Sequence, residues 1–71
     1  MGGHKLTKKI GENIRHIRMH KDIGQRRLAR ESGVSLTLLG VLELGKCRNV
    51  SVVTLEKVAK VLNVPVIKFF E

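Results

Sequence analysis

Apolar residues recur at helical spacing along most of this chain, and nowhere in the strict alternation of a half-buried strand. Ile10, Ile14 and Ile17 fall at i, i+4 and i+7, which predicts a first helix over residues 8–21. Its other faces carry Glu12, Arg15, His16, Arg18 and His20, and Asp22-Ile23-Gly24 ends it, with Gly24 read as the turn residue. Leu28 and Ala29 mark a second helix over 25–32, with Gly33 placed as a left-handed C-terminal residue. Ser35 stands where an N-cap belongs, so a third helix is expected over 36–44, stopping at Gly45. Ser51 is placed to cap a fourth, in which Leu55, Val58, Ala59 and Leu62 give the clearest period in the chain. Asn63-Val64 breaks it, and Pro65 suits the first turn of a short fifth helix ending in Phe69-Phe70. The predicted class is all-α, a compact bundle of five helices.

Size limits what such a bundle can be. With 71 residues it is one small domain, able to bury only about 60% of its unfolded surface. The single cysteine, Cys47, excludes an intramolecular disulfide and reads as a loop thiol, and with no Trp or Tyr the core must be mostly aliphatic. Dimerisation is one of the remaining ways to stabilise a domain of this size. Residues 1–8, rich in Gly, Lys and His, read as a flexible basic N-terminus, and residues 9–71 as the domain.

Charge narrows the partner. The formal net charge is +8. Residues 1–48 hold eleven Lys/Arg against four acids, and residues 49–71 three against two, so nearly all the excess lies in the first two thirds. A basic field on one part of a small globule favours a polyanion. No apolar run approaches the length of a membrane span, and no apolar segment near the N-terminus reads as a signal peptide. A cytoplasmic location is expected. Catalysis finds no support: there is no Gly-rich phosphate loop and no Ser/His/Asp set with a scaffold to orient it, so the chain does not read as an enzyme. His16 and His20 lie at i, i+4, but no third ligand completes a metal site; neither metal nor cofactor is expected.

The segment 24–45, GQRRLARESGVSLTLLGVLELG, carries the strongest signal. Leu28, Ala29, Val34, Leu39 and Leu42 fall where two helices crossing at a steep angle across a glycine turn would bury apolar side chains. Together with IGENIRHIRMHKDIGQRRLARESGVS before it, LLGVLELGK within it and SVVTLEKVAKVLNVP after it, the chain resembles the phage repressor/Cro (XRE-type) helix-turn-helix family over about residues 9–70. The resemblance implies a lambda-repressor-like fold whose second and third helices form the helix-turn-helix. It also implies sequence-specific, or weakly specific, binding of double-stranded DNA as a prokaryotic or phage transcriptional regulator. Relatives generally act as homodimers on palindromic operators.

The same resemblance implies roles for particular residues. Gln25, opening the second helix, would bind a DNA phosphate or brace the recognition helix, with Arg26 beside it on the backbone. Arg18 and Glu43 would pair, tying the first helix to the end of the third. Ser35 and the base-reading positions Leu36, Thr37, Leu38, Gly40 and Val41 would face the groove, with Lys46 and Arg48 on phosphates. Val66, Ile67, Phe69 and Phe70, terminal and apolar, are the candidate dimer surface.

One departure stands out. Many relatives carry Gln, Arg, Ser or Asn at the base-reading positions, and this chain offers only Thr37. Leu39 and Leu42 account for the buried seam, so Leu36, Leu38, Val41 and Leu44 are left over, and some must form an exposed apolar patch. Three readings follow. The third helix enters the major groove and sets Leu and Val against thymine methyl groups; or the patch docks on a protein partner, as in an antitoxin or co-repressor; or it packs on the chain itself and is structural.

Overall fold

The computed structural model describes residues 2–71, with side chains from residue 5 onward. The chain forms four α-helices and one terminal 3-10 helix: α1 (Gly2–His20), α2 (Gln25–Ser32), α3 (Leu36–Glu43), α4 (Val52–Leu62) and the 3-10 helix Val66–Phe70. The described residues contain no strand. The all-α expectation therefore stands, but the fifth element is a single tight 3-10 segment and not an α-helix. Pro65 precedes that segment, and with five residues there is no room for the i→i−4 ladder to become established.

Local signals account for most boundaries. Gly33 ends α2 with φ +76° and donates its N–H to the Ala29 carbonyl. The Ser35 hydroxyl accepts from Leu38 N at 2.9 Å, and the Ser51 hydroxyl from Thr54 N at 3.0 Å, so each opens its helix by satisfying a free amide. Asn63 closes α4 with φ +58°, a conformation that Asn tolerates better than most residues.

The two ends of α1 differ from the sequence reading. Helix starts at Gly2, well before residue 8, so residues 2–8 belong to α1. The inward stripe begins at Thr7, which is buried and sits three residues ahead of Ile10, and an apolar count passes over a threonine. At the other end the left-handed turn residue is Asp22 (φ +61°), while Gly24 is extended, at φ −74° and ψ 160°.

The core is a single cluster. Ile10 and Ile14 from α1 meet Leu28 and Ala29, Val34, Leu39 and Leu42, Leu55, Val58, Ala59 and Leu62, and Phe69. Helix α1 packs on α3 and on the 3-10 segment, and α2 packs on α3 and α4. Two details fix how closely. At Gly11 a Cβ would run into the Leu42 backbone carbonyl, so α1 and α3 approach at a distance only glycine permits. The Asn13 side-chain amide donates to the Phe69 carbonyl at 2.8 Å, tying the C-terminal segment back to α1. Cys47 lies in this core as well, 8% exposed, with its thiol donating to the Asn49 carbonyl; it is a buried packing residue and not an open loop thiol.

Candidate nucleic-acid interface

The turn between α2 and α3 is set by its own side chains. Ser32 is buried, and its hydroxyl accepts from Val34 N at 3.3 Å while donating to the Ala29 carbonyl at 3.4 Å. Val34 is buried behind the turn and Ser35 starts α3 immediately afterwards. Leu39 and Leu42 point into the core with no exposed surface. By helical spacing, the opposite side of α3 must then show Leu36, Thr37, Gly40, Val41 and Leu44. These residues are indeed open: Leu36 is 39%, Val41 37% and Leu44 70% exposed. Thr37 is exposed and Gly40 half-exposed. This face is not covered by any described part of the chain, which removes the reading of α3 as a purely structural, self-capped helix.

Two of the anticipated groove residues also have partners within the domain. Leu38 is half-buried and packs against the core. The Ser35 hydroxyl is held by its capping bond.

Behind the open face, a polar clamp fixes α3 against the body. Arg18 Nε donates to Glu43 Oε2 and Arg18 Nη2 to Glu43 Oε1, both at 2.8 Å, a bidentate fork. Arg18 Nη1 also donates to the Ile23 carbonyl at 2.9 Å. Gln25 Nε2 donates to Glu43 Oε1 at 3.0 Å. Glu43 is 7% exposed, so its charge is sheltered and fully engaged. Donating to the Glu43 carboxylate holds the Arg18 guanidinium above its ordinary pKa, against the opposing effect of burial. Gln25 is thereby tied, through Glu43, to the last turn of α3.

Several cations are exposed, and some lie close to α3 in the chain or across the Gln25–Glu43 bond. Arg26, Lys46 and Arg48 are exposed, as are Arg15 and Arg30. Arg27 is exposed too, and pairs with Glu31 at 2.9 Å. The Gln25–Glu43 bond brings the start of α2, with Arg26 next in sequence, beside the last turn of α3. Lys46 and Arg48 follow α3 directly.

The candidate dimer surface is divided. Phe69 has no exposed surface and is a core residue, so it drops out of the candidate dimer surface, while Phe70 stays partly open: the short segment hides one of its two rings and not both. Val66 is half-buried, and only Ile67 (64%) and Phe70 (39%) remain open. His16 and His20 are exposed, and no group of three or more His, Cys, Asp or Glu suited to a metal comes together among the described residues. No described helix is long and apolar enough to cross a membrane.

Sequence reasoning assigned no role to Gly11 or Asn13, although both support the interface. Gly11 lies next to Ile10, inside the IGENIR stretch, and a glycine in the interior of a helix pattern is itself a sign of close approach. Asn13 gave no such sign, because its partner is a backbone carbonyl far along the chain.

Comparison with known proteins agrees with this geometry. A family model described as helix-turn-helix matches residues 14–69. The crystal structure of the restriction-modification controller protein C.AhdI from Aeromonas hydrophila is similar to this chain with a TM-score of 0.84 and 33% sequence identity, over 90% of this chain and 96% of that one. No curated protein matches the chain.

Proposed function

This chain belongs to the helix-turn-helix family, and from that premise we propose that it is a DNA-binding transcription regulator whose α3 lies in the major groove. The observation that carries the reading is the open face of α3, tied to α1 and α2 from behind by the Arg18–Glu43–Gln25 clamp, with Arg26, Lys46 and Arg48 exposed near it in the chain. A helix that must enter a groove has to stand clear of its own domain and keep a fixed angle to it. Arg26, Lys46 and Arg48 then lie on phosphates, and Leu36, Thr37, Gly40 and Val41 against base edges. The controller role of the similar C.AhdI supports a regulatory one here. The role is binding and not catalysis, and it is carried out in the cytoplasm.

The functional unit in this reading is a homodimer, which sets two recognition helices about one DNA turn apart. Ile67 and Phe70, the open apolar residues of the C-terminal segment, form its contact.

A protein partner on α3 is the second reading, favoured by the apolar character of Leu36, Val41 and Leu44. The charge around the face argues against it, since Glu43, the one acid of α3, is buried and paired. Retention of random-sequence duplexes at low salt tests the choice: the DNA reading expects a shifted band, and a chain that shifts no duplex is not a DNA-binding protein.

A further inference from the structure

The open face of α3 has almost no means of making a hydrogen bond. Its side chains are Leu36, Thr37, Val41 and Leu44, with Gly40 between them, and its polar groups are two hydroxyls, that of Thr37 and that of the exposed N-cap Ser35, which already accepts from Leu38 N. Guanine presents two acceptors in the major groove, adenine an acceptor and a donor, and each is met bidentately by Arg, Lys, Asn or Gln. None of those residues lies on this face. Pressing Leu36 or Val41 onto such an edge would strip water from polar atoms without replacing it. One major-groove feature is itself apolar: the C5-methyl group of a pyrimidine, carried by thymine and, at the same ring position, by 5-methylcytosine.

Gly40 leaves room for that methyl. It lies on the surface among Leu36 and Thr37, four and three residues before it, and Leu44, four after it. A Cβ built there would meet nothing within 4 Å, so the centre of the apolar face is open. The surroundings match a nucleic acid: exposed Arg26, Lys46 and Arg48 suit a polyanion, and no exposed acid on α3 opposes one.

Resting on the DNA-binding reading above, we propose that α3 reads C5-methyl groups, so that thymine and 5-methylcytosine are interchangeable at the contacted positions. Specificity then follows the methyl group and not the pairing edge of the base. A site whose cytosines become methylated would gain affinity wherever α3 meets them.

Three random duplex pools test this with the full chain: ordinary DNA, DNA with uracil replacing thymine, and DNA with uracil replacing thymine and 5-methylcytosine replacing cytosine. The expected result is thymine at defined positions from the first pool and 5-methylcytosine at the same positions from the third. The second pool is still retained at low salt but shows no preference there. In the selected duplex, one thymine-to-uracil change at a contacted position weakens binding about four-fold, the worth of one buried apolar carbon. The same base preference in the first two pools, no preference in the first, or no 5-methylcytosine from the third overturns methyl readout and leaves DNA binding standing. Failure to retain any pool at low salt overturns DNA binding itself.

Discussion

Arg18 and Glu43, on helices α1 and α3, meet through two parallel hydrogen bonds of 2.8 Å, with the carboxylate almost wholly withdrawn from water. The pair ties the last turn of α3 to α1. Its value lies in orientation more than in net stability, because desolvating two charges offsets much of their attraction. Removing one partner is a different matter, since it leaves the other charge sheltered and alone.

Glu43→Ala should therefore destabilise the fold by about 3 kcal/mol. Arg18→Met combined with Glu43→Leu should recover most of that loss while still weakening DNA binding, because α3 is no longer clamped. Urea unfolding of the single and double variants measures the first effect, and duplex titration the second. Equal stability of Glu43→Ala and the parent chain would show that the clamp does not hold α3.

Two glycines should respond oppositely to the same change. Gly11→Ala drives a methyl into the Leu42 carbonyl and should cost about 1–3 kcal/mol, as overpacking does. Gly40→Ala meets open space and should raise stability by about 1 kcal/mol through helix propensity. It should nevertheless weaken DNA binding, because the added methyl stands where the groove must come. Thermal unfolding together with band shifts checks both. A Gly40→Ala chain that is more stable and binds DNA as before would remove Gly40 from the interface.

The cations and the threonine should separate cleanly. Arg26→Ala and Arg48→Ala should weaken binding about uniformly across sequences, each lowering the salt dependence by about one ion. Thr37→Ala should alter preference at one base pair and leave the salt dependence alone. Selection from a random pool with each variant distinguishes the two behaviours. An unchanged sequence preference for Thr37→Ala would show that this hydroxyl reads no base.

The C-terminal segment should divide in the same way. Phe69→Ala empties a core position and should cost about 3–5 kcal/mol. Ile67→Asp touches only the open surface, so it should leave the fold intact while shifting the chain from dimer to monomer. Sedimentation over a range of concentrations measures the shift. If the parent chain is monomeric throughout, Ile67 and Phe70 form no dimer contact.

Much of the architecture was legible from local chemistry. Gly33, Ser35 and Ser51 each mark a helix end because the group that satisfies the backbone lies within a few residues of it. The buried seam of Leu39 and Leu42 followed from spacing, and the open face of α3 followed as its remainder. Tertiary features were harder to see. Thr7 extends the inward stripe of α1 although it is polar, and Asp22 takes the positive φ that a neighbouring glycine seemed made for. Cys47 is drawn into the core from a loop flanked by charges, and Phe69 turns inward while Phe70 does not. Nothing in a short terminal run of apolar residues says which ring will find space between helices. The clamp partners Arg18 and Glu43 came from family resemblance, since no sequence spacing links them.

The salt dependence of duplex binding tests the central claim most directly. If α3 enters the groove with Arg26, Lys46 and Arg48 on phosphates, the logarithm of affinity should fall against the logarithm of salt concentration with a slope of about −3 for one chain and about −5 for a dimer, from about 0.9 per neutralised phosphate. A slope near zero, or no binding at low salt, would contradict it and give the apolar face of α3 to a protein partner.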